Sequence, residues 1–192
     1  PNDKTYAADV RLRFDGPGYW SALGKDCINK ELFPPYIQSM NLDLDNCDPR
    51  DYETTILHEF GHVLGFVHEH QRPDKSCNAE YRWEDDEGYV PTKDSDGMYV
   101  VDRLGRRPGI YTWCSGSPNK ISKARVDKNM RSLPQSSAYD LGPIDRQSIM
   151  HYHFPAFFYN KGKNSRCYSL GRDGLTRLDI AGVKKAYPGK SR

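Results

Sequence analysis

Three histidines, at residues 58, 62 and 68, are the side chains of this sequence best placed to do chemistry. His58 and His62 are four residues apart, so on an α-helix they stand one above the other on the same face. Glu59 lies about 100° round from His58, close enough to take a proton from a water at the pair without being a ligand itself. One turn after His62 comes Gly65, a residue that tolerates left-handed backbone and can end the helix and reverse the chain. That reversal brings His68 back as a third nitrogen ligand. Three imidazoles with one water form the open arrangement of a catalytic zinc, whereas structural zinc sites are closed by four ligands, usually including cysteine.

The elements that must position these groups are only partly marked. On a helical wheel Ile56, Leu57, Phe60, Val63, Leu64 and Val67 fall opposite the histidines, which predicts a buried apolar face there. Asp51 is the natural N-cap, with Thr54 and Thr55 as competing starts. Upstream, Val10, Leu12 and Phe14 alternate with Arg11 and Arg13, predicting a half-buried strand that stops at Asp15-Gly16-Pro17-Gly18. Residues 22–24 suit a second short strand, and residues 36–44 a third with Met40, Leu42 and Leu44 on one face. Near the other end, Thr176 and Asp179 have the spacing of a capping arrangement ahead of Leu178, Ile180 and Val183, and Pro188-Gly189 stops that helix.

The 192 residues suffice for one domain or two small lobes with a sizeable core. With 28 basic and 26 acidic side chains the net charge is +2, too small a field to draw in a polyanion, so no nucleic-acid partner is expected. No apolar run is long enough to span a bilayer, and no basic-then-apolar signal segment opens the chain. Five cysteines without a Cys-x-x-Cys pair argue against a thiolate metal site and for two disulfides with one cysteine left over, in an oxidising, extracellular setting. Residues 71–147 form a long connection that must contain short helices and turns, and Cys77 and Cys114 are placed to staple it. Its acidic run, residues 84–87, lacks the spaced oxygens of a calcium loop and suits a solvated face.

The stretch His-Glu-Phe-Gly-His-Val-Leu-Gly-Phe-Val-His-Glu, residues 58–69, resembles the metzincin zinc endopeptidases. Glu69, directly after the third histidine, makes it similar to the astacin branch in particular. Ser148-Ile149-Met150-His151-Tyr152 resembles the astacin Met-turn, and the whole likeness covers about residues 10–70 and 139–188. The resemblance implies an α+β, two-lobed zinc protease domain over residues 1–192, with an upper lobe of about 1–68 and a lower lobe of about 69–192. It further implies a twisted, mostly parallel sheet with an antiparallel edge strand, an active-site helix, a Met-turn and a C-terminal helix.

On this reading His58, His62 and His68 hold one catalytic Zn2+, Glu59 is the general base, and Tyr152 stands near the metal and donates to the oxyanion. Met150 is an apolar floor, the aromatic run 154–159 walls the pocket for the residue after the cut bond, and His70, His151 and His153 stay off the metal, His70 at the surface. The partner is a protein or peptide substrate bound in extended form along an edge strand within residues 36–44, and the enzyme is a secreted monomer that cuts internal peptide bonds. The family folds a processed N-terminus inward, which would pair Pro1 with Glu69. One departure is plain: such proteins carry a strand and a long helix before the strand that Val10–Phe14 resembles, and here nine residues stand there. The competing reading is an inactive zinc-binding pseudoprotease serving as a binding module.

Overall fold

The computed structural model describes residues 7–118, 120–171 and 174–189, so the pairing expected of Pro1 lies outside the described residues. The chain forms two compact units. The first takes the chain up to His68, the segment Gln147–His151 and the stretch from Gly171 onward; the second is Glu69–Arg146 with Tyr152–Leu170.

In the first unit β1 (Leu12–Arg13), β2 (Tyr19–Ser21) and β3 (Met40–Leu42) form a small mixed sheet in the order β1-β3-β2. β3 runs parallel to β1, with Leu12 opposite Met40, and antiparallel to β2, with Trp20 opposite Asn41. The residues expected to supply the edge strand therefore form the central one. Met40, Asn41 and Leu42 are buried, their main-chain groups are taken up on both sides, and the antiparallel edge strand is β2. Asn41 closes the turn before β2, its amide donating to the Gly16 carbonyl (2.8 Å) and accepting from the Gly16 N–H (3.2 Å).

The alternation expected around β1 is not present: Arg13 is exposed like the residues on either side of it. Leu12 and Phe14 are exposed, while Arg11 is buried. The reason is hydrogen bonding: the Arg11 guanidinium donates to the carbonyls of Ile37 (2.7 Å), Cys27 (2.8 Å) and Phe33 (3.2 Å), so the cation is solvated by main-chain dipoles and ties the loop before β3 to β1. Polar-against-apolar patterning cannot foresee an arginine held in this way.

The helix α1 (Tyr52–Val63) packs on β2. Its first boundary residue is Asp51, whose side chain makes no capping bond. Its buried residues are His58 and Glu59, and Phe60 on the expected apolar face is exposed. A sheet of such short strands covers only part of that face. At the other end Gly65 adopts φ +88°, the Phe66 N–H reaches the Gly61 carbonyl (3.0 Å) and the Gly65 N–H the His62 carbonyl (2.8 Å), a Schellman ending that turns the chain back as expected.

The second unit has its own core, built from Cys77, Tyr81, Ile110, Cys114, Val126, Met130, Phe158, Tyr159 and Cys167. It includes the hairpin of β4 (Thr92–Lys93) and β5 (Tyr99–Val100) and the helices α2 (Ile110–Ser115) and α3 (Lys123–Met130). Cys77 pairs with Cys167, not with Cys114, and Cys27, Cys47 and Cys114 are free thiols, so the described residues hold one disulfide in place of the two expected. In the acidic run Glu84, Asp85 and Glu87 are exposed, while Asp85 accepts from the Gly109 N–H (2.7 Å) and Asp86 from Arg107 (2.9 Å).

The last helix, α4 (Arg177–Ala186), belongs to the first unit and carries the expected capping box of Thr176 and Asp179. None of its residues is buried, and Leu178 and Ile180 are exposed. It is fastened at its C-cap, where the Tyr187 hydroxyl donates to the Leu64 carbonyl (3.0 Å), and at its middle, where Gly182 lies against the Phe66 ring.

Candidate metal centre

The first unit brings His58, His62 and His68 together. Their candidate ligand atoms all lie within 4.8 Å of one another. The Nε2 of His68 stands 3.2 Å from that of His58 and 3.1 Å from that of His62. For two of the rings the tautomer follows from the partner of the other nitrogen. His58 Nδ1 faces the Ile149 carbonyl at 2.7 Å and His62 Nδ1 faces the Phe66 carbonyl at 2.8 Å. A carbonyl only accepts, so each Nδ1 carries the proton and each Nε2 turns a lone pair toward the common point.

Lone pairs meeting at such distances repel unless a cation lies among them. Nitrogens about 2.0–2.1 Å from one ion at tetrahedral angles stand about 3.3 Å apart, so this donor set fits one such ion. Burial also pulls the His62 imidazole below its ordinary pKa, against the opposing hydrogen bond to Phe66, and so favours the neutral, ligating form. Among the described residues no other cluster of histidine, cysteine or carboxylate groups has this geometry.

Glu59 is buried beside His58 in the sequence, and its Oε2 has no hydrogen-bond partner. Burial raises its carboxyl to about 7, the condition of a group able to exchange a proton near neutral pH. Met150 is 4% exposed and packs with its sulfur against Gly61, in the turn of α1 between the two histidines. It is an apolar support for that turn, as the sequence implies.

Other residues singled out in the sequence lie in the second unit. Tyr152 stacks on His70 (ring centroids 4.9 Å apart) and meets the edge of Phe154 (5.7 Å). His70, expected at the surface, is fully buried among Tyr152 and Phe154, with Nε2 at 2.9 Å from the Asn129 carbonyl. Glu69 Oε1 accepts from Arg72 (2.8 Å) and from the Asp145 N–H (2.9 Å). Arg72 also donates to Asp74 and to the Gly142 carbonyl (2.6 Å), so Glu69 and Arg72 together fix residues 142–145. Phe158 and Tyr159 are core, and Phe154 and Pro155 line a cavity of about 250 Å³ with Trp113, Ile121 and Met130.

Sequence reasoning missed the groups that orient the imidazoles: the carbonyls of Ile149 and Phe66 carry no side-chain signature.

A helix bearing two of three converging imidazoles, a glycine reversal before the third and a methionine turn against the helix define a metzincin-type metal-binding fold. Comparison with known proteins agrees. The family model described as Astacin, a peptidase family, matches residues 6–86. Astacin-like metalloprotease toxin 2 of Loxosceles intermedia is 30% identical over 149 residues, covering 71% of this chain and 44% of that protein. Zinc metalloproteinase nas-27 of Caenorhabditis elegans is 36% identical over 151 residues, covering 78% of this chain and 25% of that protein. A solved structure of myroilysin superposes with a TM-score of 0.66 at 26% identity, covering 95% of this chain and 74% of that one. The chain belongs to the astacin family. It spans less than half the length of these two curated relatives.

Proposed function

We propose that residues 1–192 act as one catalytic domain of a zinc endopeptidase that hydrolyses internal peptide bonds of proteins. The observation that carries this reading is the convergence of the His58, His62 and His68 nitrogens, on a helix whose Glu59 has a buried carboxylate oxygen without a hydrogen-bond partner. His58, His62 and His68 hold the ion, which when bound supplies a Lewis acid and lowers the pKa of water to about 7. Glu59 takes the proton from the attacking water and returns it to the leaving amine. The Tyr152 hydroxyl donates a hydrogen bond to the oxyanion. The substrate lies extended along the β2 edge, held by main-chain hydrogen bonds.

We place the enzyme outside the cell as a monomer; the disulfide supports an oxidising setting, and no helix among the described residues is long and apolar enough to cross a membrane. The test is digestion of casein or gelatin. Cleavage abolished by a chelator and restored by zinc is expected; a chain that binds zinc yet cuts nothing would be the binding module instead.

A further inference from the structure

The cap of α4 has a second set of partners. Asp179 Oδ2 accepts from the Thr176 N–H (2.9 Å), as a capping box requires, and also from the Ile149 N–H (3.1 Å). Its Oδ1 accepts from the Ser148 hydroxyl (2.6 Å), whose oxygen in turn accepts from the Met150 N–H (3.0 Å). Ser148, Ile149 and Met150 are all buried. One carboxylate thus fixes the turn that carries Met150. Ile149 is the junction: its N–H is held by Asp179 and its carbonyl receives the His58 Nδ1–H at 2.7 Å.

We propose that Asp179 is a positioning residue of the metal centre, holding the Ile149 main chain so that its carbonyl sets the ring plane and tautomer of His58. The proposal rests on the reading that the three histidines hold zinc. A carbonyl free to swing would orient the ring poorly and leave the proton on either nitrogen, and a proton on Nε2 removes the lone pair that binds the ion. Helix α4 is then a strut more than a packing surface, which agrees with its lack of buried side chains. Its other anchors reach the same centre, since Gly182 abuts Phe66, whose carbonyl receives His62 Nδ1.

The alternative is that Asp179 only caps the helix, and two variants of the full chain separate the roles. Thr176→Ala removes the hydroxyl that accepts from the Asp179 N–H (3.0 Å) but leaves the carboxylate on the turn. Asp179→Asn keeps the size of the side chain and puts an amide where three donors converge. Zinc affinity is read by chelator competition, the Co2+ absorption spectrum reports ligand geometry, and melting of the metal-free chain reports folding. Asp179→Asn weakens zinc binding about 10- to 100-fold and alters the Co2+ spectrum, whereas Thr176→Ala lowers the melting temperature with affinity and spectrum retained.

Ser148→Ala, which leaves the capping box whole, weakens zinc binding less than Asp179→Asn does and serves if the latter does not fold. Wild-type affinity in Asp179→Asn or in Ser148→Ala, or a loss in Thr176→Ala as large as in Asp179→Asn, overturns the proposal. A wild-type chain that takes up no zinc overturns the metal reading and this proposal with it; zinc uptake indifferent to residue 179 overturns this proposal alone.

Discussion

Gly61 and Met150 are in such close contact that a side chain on Gly61 has no place: a Cβ built there collides with the Met150 sulfur and crowds its terminal methyl. The residue between the two helical histidines is therefore set by the turn that packs against them. Met150 is buried and cannot swing into solvent. Gly61→Ala gains up to about 1 kcal/mol of helix propensity but loses about 1–3 kcal/mol to overpacking. A lower melting temperature is expected, and a more stable variant would mean that the contact is loose.

The Cys77–Cys167 bond joins residues 90 apart in sequence and lies in the core of the second unit. Cross-links of this span stabilise chiefly by restricting the unfolded chain, and removing one costs about 2–5 kcal/mol. Urea unfolding of Cys77→Ala/Cys167→Ala should show a loss of that size, and Cys114→Ala should leave the disulfide intact. Unchanged stability of the double variant would contradict the pairing.

Tyr152 keeps its ring contacts with His70 and Phe154 when its hydroxyl is removed. Tyr152→Phe should therefore fold as the wild type does. If the hydroxyl stabilises the oxyanion, kcat falls on the order of 10²-fold with KM little changed. Wild-type kcat would assign Tyr152 to packing alone.

Asp102 gathers the loop after β5. Burial pushes its carboxyl up, but donation from the Val90, Arg106 and Leu104 N–H groups and the Arg106 guanidinium outweighs this and holds it at about 2, below the usual 3.8. A folded-state value below the unfolded one contributes stability that is complete above the unfolded pKa and is lost as pH falls toward 2. Hydrogen exchange at the Leu104 and Arg106 amides should accelerate, beyond its intrinsic pH dependence, between about pH 4 and 2. In Asp102→Asn that added dependence should vanish; its persistence would place the titrating group elsewhere.

The metal centre was legible because imidazoles spaced by four on a helix, then returned by a glycine, have few other uses, and because a methionine turn has its own local signature. The burial of Arg11 beside β1 was misread because an arginine buried on carbonyls looks, in sequence, like an arginine in water. Residues 36–44 gave a central strand in place of an edge for a related reason: pairing partners are long-range, and nothing within β3 states how many neighbours it has. The same limit hid the partner of Cys77, 90 residues away, and the orienting carbonyls of Ile149 and Phe66, which every residue type supplies alike. Asp179 was visible as a cap because capping is local, and its grip on Ile149 was not because that contact closes a gap of 30 residues.

The most direct test of the account is turnover by Glu59→Gln, measured alongside its zinc content. The substitution keeps the size and burial of the side chain and removes the proton acceptor, while leaving His58, His62 and His68 untouched. One zinc per chain with nearly all peptide-bond cleavage lost is the expected result. A Glu59→Gln chain that holds its zinc and still cleaves at the wild-type rate would contradict it.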